Sequence, residues 1–250
     1  MTGTCLFHFT DSKDALYGIL NENFKPSFAR EKIHSVKAGL TNDFAAPMVS
    51  FSDMRLSEIR ESNFPYGRYA IGMKKDWACW NNLCAVMYAE KNSEYLATYS
   101  KAMNDLYEYI VNEDPNNKQL IAIYSHLLSA IRYIKPYQDD LVRKHKVVKN
   151  DYCFANEREW RYVIPFEDTD IPFLNTTLLD TKGKKYWNQK IAKFHLDFTP
   201  QDIQYLIVPS ENDILDLISA IRRIKGKYSY EDVQKLQSRI LTAEQIEKDF

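Results

Sequence analysis

The sequence predicts an α+β fold: one domain over residues 1–250, with a helical insertion at about 92–148 and helices at its C-terminal end. Three observations carry this. Short β-prone runs separated by turn formers fill the first third of the chain. A helical period takes over near residue 92. Strands return from Tyr152 before helices close the sequence.

Cys5-Leu6-Phe7-His8-Phe9 is the first predicted strand. Thr10 or Asp11 can cap the helix after it, where Ala15, Leu16, Ile19 and Leu20 share one face. Pro47 to Ser52 and Tyr69 to Met73 read as further strands, Lys75 to Trp80 as a short helix and Leu83 to Tyr88 as a fourth strand. Asn42, Asp43, Asn63 and Pro65-Tyr66-Gly67 supply turns between them. Tyr95, Leu96, Tyr99, Met103, Leu106, Tyr107 and Ile110 recur at helical spacing, as do Leu120, Ile123, Tyr124, Leu127, Leu128, Ile131 and Ile134. Pro115-Asn116-Asn117 separates the two runs, so they read as a helical hairpin whose apolar faces pack inward. Beyond it, strands are expected at Glu157 to Val163, Phe194 to Phe198 and Ile203 to Val208. A helix opens at Asn212 and carries Arg222, Arg223 and Lys225 near its C-terminal end, where cations suit the helix dipole. Ser229 caps another, and Thr242 with Gln245 forms a capping-box string.

Composition bounds the function. The net charge is −1, so no global basic field draws in nucleic acid or a membrane surface, although a local basic pocket is compatible with it. Seven glycines, with neither a GxGxxG nor a GxxxxGK[ST] string, argue against a glycine-lined phosphate loop. Cys5, Cys79, Cys84 and Cys153 form no CxxC pair, which suggests single thiols, buried or partly buried, in a reducing cytoplasm. No run approaches membrane-spanning length, so no membrane partner is expected.

Glu157-Arg158-Glu159-Trp160-Arg161-Tyr162-Val163 is the stretch most suggestive of chemistry. As one strand it sets Glu157, Glu159 and Arg161 on a single face. Carboxylates roughly 7 Å apart on one face repel, raising one pKa unless Arg161 or a bound cation compensates. The run is either a functional carboxylate pair or a surface ladder of alternating charge. His8 is a satisfied packing residue or a ligand contact. Ser50 and Ser52 either bond neighbouring backbone or face a site. Tyr66, Arg68 and Tyr69 are surface groups or a ligand clamp. Lys74, Lys75, Trp77 and Trp80 make either a cationic, aromatic wall or a solvated helix with a buried tryptophan.

Taken together, His8-Phe9-Thr10, Pro47-Met48-Val49-Ser50-Phe51-Ser52-Asp53, Tyr66-Gly67-Arg68-Tyr69-Ala70-Ile71-Gly72-Met73, Lys75-Asp76-Trp77 and Glu157 to Val163 resemble the AbiGi family of abortive phage resistance proteins. The opening strand and helix also resemble those of ADP-ribosyltransferase-like proteins. The resemblance implies an ADP-ribosyltransferase-like split β core around an NAD cleft, with NAD as substrate and no metal. It implies His8 on the ribose and nicotinamide side, within the strand-end string His8-Phe9-Thr10. Ser50, Ser52 or Tyr69 would pack on the nicotinamide, and Glu159 or Glu157 would bond the ribose 2′-hydroxyl and stabilise the developing positive charge. Such a protein would transfer ADP-ribose to a nucleic-acid or protein acceptor. The family is also labelled the antitoxin half of a two-component system, which implies the alternative of a non-catalytic antitoxin or regulator with a cognate toxin partner.

Overall fold

A computed structural model describes residues 3–59, 67–143 and 146–249. Asn63, Pro65 and Tyr66 lie outside the described residues. The fold is mixed α+β. In chain order it runs β1 (Cys5–Thr10), α1 (Lys13–Glu22), β2 (Ser27–Ser35), β3 (Leu40–Ser52), β4 (Tyr69–Lys74), α2 (Lys75–Trp80), β5 (Cys84–Ala85) and β6 (Met87–Ala89). The helical hairpin α3 (Glu94–Asn112) and α4 (Lys118–Ile131) follows, then β7 (Ile134–Pro136), β8 (Gln138–Arg143), β9 (Lys146–Cys153), β10 (Glu159–Val163) and β11 (Leu174–Asn175). The remainder is α5 (Thr176–Lys182), α6 (Lys184–Lys190), β12 (Ile203–Val208), α7 (Ile214–Lys225), α8 (Tyr230–Gln237), β13 (Ile240–Thr242) and α9 (Ala243–Asp249). The chain divides into two compact units.

The first unit comprises Met1–Lys25, Val49–Cys84 and Phe194–Phe250. Its strands run β13-β12-β4-β1 and then the end of β3, with β12 and β13 parallel and the other pairs antiparallel. Leu6, Phe7, Leu16, Leu20, Ala70, Ile71 and Ile207 are buried around this sheet. Phe24 is the hub of an aromatic nest, its ring 5.0 Å from Phe51, 5.2 Å from Phe198 and 5.8 Å from Trp77. Gly67 has φ +118°, and a Cβ there would lie 2.1 Å from the Thr10 carbonyl oxygen, so the turn into β4 accepts only glycine.

The second unit comprises Pro26–Met48 and Ala85–Lys193. β2 pairs antiparallel with β3 from Ser27↔Met48 to Ser35↔Leu40, and Gly39 at φ +64° serves the turn. β11 and β10 also lie beside β3, β6 runs parallel to β7, and β8 and β9 form a separate hairpin. Ile33, Phe44, Met48, Leu96, Met103, Ile131, Ile134 and Val163 make its core.

Several expectations are corrected. The helical insertion ends at Ile131 rather than near 148, because β7, β8 and β9 occupy 134–153. β9 is exposed along most of its length, so its sequence lacks the apolar alternation of a half-buried sheet. Phe194–Phe198 makes one bridge, Leu196 to Phe24, instead of a strand. The Asp197 carbonyl is taken by the Trp77 indole N–H at 2.9 Å, so these backbone groups are satisfied singly. The helix α1 is capped by Ser12, whose Oγ accepts from the Ala15 N–H at 3.2 Å, while the Thr10 hydroxyl accepts from the Ser12 N–H. Leu83–Tyr88 is split between β5 and β6. No disulfide forms, and Cys79 and Cys84 are exposed rather than buried.

Candidate functional site

The expected continuous strand from Glu157 is broken. Phe154–Glu157 forms one 3-10 turn, Arg158 sits in the left-handed region at φ +43°, and β10 begins only at Glu159. Among the described residues the other positive-φ positions besides glycine are Asn23, Asn82 and Asp151, types that tolerate this region, whereas for arginine it costs about 1–2 kcal/mol. The break turns Glu157 and Glu159 toward one point instead of spacing them along a face. That point is the Lys135 ammonium on β7: it donates to Glu157 Oε2 at 2.7 Å and to Glu159 Oε2 at 2.8 Å.

On β10 the alternation buries Glu159, Arg161 and Val163 together. Arg161 is fully buried and every arm is engaged: Nε donates to Glu159 Oε1 at 2.8 Å, one terminal nitrogen to the Arg132 carbonyl at 2.7 Å, the other to Glu31 Oε1 at 2.9 Å. Both oxygens of Glu159 therefore meet a cation, and its backbone N–H donates to the Tyr88 hydroxyl at 2.7 Å. Lys135 also lies 4.8 Å from the Phe154 ring centroid. Arg132, 1 % exposed, ties the end of α4 to the cluster by donating to the Ile164 carbonyl at 2.8 Å and the Ser129 hydroxyl at 2.9 Å.

Three carboxylates thus face two cations in a space that excludes most water. Burial works to raise the Glu159 pKa, but Arg161 and Lys135 outweigh it and hold the carboxyl well below its usual range. Glu31 goes the other way: burial dominates over Arg161 and Lys135 and lifts it above the ordinary value. Arg161 is stripped of water, yet Glu159 and Glu31 hold it firmly charged. Burial pushes the Tyr88 phenol up to about 12. A carboxylate held by two cations does not take a proton near neutrality, so Glu159 is a fixed negative charge rather than a proton carrier.

The remaining expected site residues belong to the first unit. His8 is partly buried between Phe24 and Phe51, with ring centroids 5.3 and 5.5 Å away, and its Nδ1–H donates to the Ser50 carbonyl at 2.8 Å. Burial lowers its pKa, against the opposing effect of that hydrogen bond. Phe9 stacks on Phe7 at 6.0 Å, Thr10 is buried, and Ser52 lies opposite Phe7. Tyr69 pairs with Thr10 across β1 and β4, and burial, followed by Asp213, raises its phenol pKa. Lys75 pairs with Asp53 at 2.7 Å, Trp77 is buried and Trp80 is 77 % exposed, so α2 is a charged surface helix anchored by one tryptophan. Arg68 pairs with Glu247.

Sequence reasoning missed Lys135, Arg132, Glu31 and Tyr88. The first two carried a signal: in the otherwise apolar run Ile131-Arg132-Tyr133-Ile134-Lys135-Pro136, each of the two cations is a buried ion waiting for a partner.

Among known proteins, a family model described as "Putative abortive phage resistance protein AbiGi, antitoxin" matches residues 22–209. The protein named abortive phage resistance protein AbiGi from Lactococcus lactis subsp. cremoris is 25% identical over 253 residues, spanning 91% of this chain and 99% of that protein. No solved structure matches. No helix among the described residues is long and apolar enough to cross a membrane. With a family model covering most of its length, this chain belongs to the AbiGi family of abortive phage resistance proteins.

Proposed function

We propose that the chain is the antitoxin half of an abortive infection pair and neutralises a toxin protein by binding it through the outer part of the α3–α4 hairpin. One observation carries this. The core-facing stripe of the hairpin is buried along its length, at Leu96, Ser100, Met103, Ile110 and Ile131. Beside that stripe, toward the turn at Pro115, Tyr107 is 47 %, Val111 50 % and Ile121 41 % exposed. Tyr107 and Tyr124 sit 5.7 Å apart there, an aromatic pair of the kind that anchors protein interfaces. The buried ionic cluster fits this reading as the rigid base from which the hairpin projects, since Arg132 joins the end of α4 to it.

The test is co-expression with the toxic product of a neighbouring gene. The wild-type chain should rescue growth and co-purify with it. Tyr107→Glu with Ile121→Glu, both exposed positions, should lose both while keeping the circular dichroism and melting temperature of the wild type. Rescue that survives this pair would overturn the binding face.

A second reading is an NAD-consuming transferase with an ADP-ribosyltransferase-like split β core, in which Glu159 anchors the ribose. What favours it is the convergence of Glu157 and Glu159 on one ammonium, a rigid carboxylate pair. It requires purified protein to release nicotinamide from NAD, with loss in Glu159→Gln at temperatures where that variant stays folded. No release from the wild-type protein refutes it.

A further inference from the structure

We propose that α5 and α6 carry a binding surface for single-stranded nucleic acid, centred on Tyr186 and Trp187, independent of the antitoxin reading. The charge is local. Residues 176–193 hold Lys182, Lys184, Lys185, Lys190 and Lys193 against one acid, Asp180, in a chain whose net charge is −1. That acid is already taken, because Arg30 lies 2.6 Å from it. Lys182, Lys184, Lys185 and Lys190 are exposed, so the segment presents a cationic surface to solvent.

Local structure gathers these cations on aromatic rings. Gly183, at φ +79°, ends α5 and starts α6 without an intervening loop, turning Lys182 back over the next helix. Its ammonium rests 5.0 Å from the Tyr186 ring centroid and 5.5 Å from that of Trp187, while Lys190 lies 5.4 Å from Tyr186 on the other side of the sequence. The two rings meet edge to face, with centroids 5.1 Å apart. Tyr186 is 37 % exposed, and the Trp187 indole is fixed by its N–H, which donates to the Leu178 carbonyl at 3.0 Å.

This arrangement selects its ligand. The ammonium groups of Lys182 and Lys190 lie against rings, a contact worth only about 0.5–1 kcal/mol at an exposed site, so a phosphate can draw them off at small cost. The uncovered rings then offer stacking faces to bases. Phosphate-binding cations interleaved with fixed aromatics match a single strand, whose bases are unstacked and available. A duplex hides those faces, and an acidic peptide has none to offer.

The experiment is fluorescence anisotropy of labelled fifteen-nucleotide oligo-uridine and oligo-thymidine with the full chain at stepped salt. Binding should weaken with salt at a log–log slope of about −0.7 per phosphate contacted, roughly −2 for three lysines. Lys182→Gln with Lys190→Gln should flatten that slope, whereas Lys182→Arg with Lys190→Arg keeps it, separating loss of charge from loss of fold. Tyr186→Ala should weaken binding at least about fivefold, and Tyr186→Phe should not. Stronger binding of one oligonucleotide identifies RNA or DNA as the ligand. The proposal is overturned by salt-insensitive or absent binding, by full binding in the double glutamine variant, or by poly-glutamate competing as well as the oligonucleotide.

Discussion

Replacing Glu159 by glutamine keeps the shape of the side chain and removes its charge from between Arg161 and Lys135. The wild-type carboxylate accepts one hydrogen bond from each cation at 2.8 Å. Hydrogen bonds to charged groups are worth about 1.5–3 kcal/mol each, and glutamine retains an acceptor for only one of them. Its amide NH2 then faces the other cation, which stays buried without its counter-charge. Breaking one partner out of a buried pair costs about 3–5 kcal/mol, and both routes converge on about 3 kcal/mol. For a chain of this length that lowers the melting temperature by about 6–12 °C. Thermal and urea melts of Glu159→Gln, Lys135→Met and the double variant measure it. The two single losses should exceed the double loss by at least about 1 kcal/mol, because the double variant removes both charges. A Glu159→Gln protein that melts with the wild type would refute the structural assignment, and would point to a carboxylate kept for a ligand.

Glu31 should make stability depend on pH in the opposite sense to Glu159. Its pKa is raised in the folded chain, so its contribution is full below the unfolded value of about 4.3 and is lost as pH rises through the folded pKa. Glu159, held low, contributes above about 4.3 and loses its contribution only as pH falls through its own depressed pKa. Urea melts from neutral toward weakly acidic pH should show a gain that Glu31→Gln abolishes; an unchanged profile in that variant removes Glu31 from the account. His8 should remain neutral with its proton on Nδ1 at pH values where an ordinary histidine is half charged, read from its 15N shifts. A doubly protonated ring there would contradict its packing. Arg132→Met should cost about 2–4 kcal/mol, since the buried Ile164 carbonyl loses its charged donor; a change under about 0.5 kcal/mol would show that water replaces it.

The sequence made the periodic elements legible. Helical spacing from Tyr95 to Ile110 and from Leu120 to Ile131 marked α3 and α4, and the Thr242–Gln245 capping box is present as read, with reciprocal bonds of 3.1 and 3.0 Å. It failed where structure depends on distant partners. β2 sets Arg30, Glu31 and Lys32 in a row between Ala29 and Ile33, so it lacks the alternation of a half-buried strand, and only its pairing with β3 decides the matter. α5 and α6 are too short to show a period. The carboxylate pair was visible, as was the need for Arg161 to compensate it, but Lys135 and Glu31 reach the cluster from sequence separations of 24 and 130 residues. The left-handed turn at Arg158 left no local trace, since arginine has no intrinsic reason to adopt it.

That turn bears on the order in which the chain folds. A residue held against its own preference stays in place only once both flanking carboxylates have met Lys135, so the 3-10 turn and the start of β10 cannot be prepared early by local contacts. Closing such separations is slow and belongs late on the folding route. Disruption of the cluster should then accelerate unfolding and leave the refolding rate nearly unchanged in stopped-flow chevrons, whereas an equal slowing of refolding would mean the turn forms in the nucleus. The ionic cluster acts as a latch on the lifetime of the native state, setting how long a folded molecule survives between excursions.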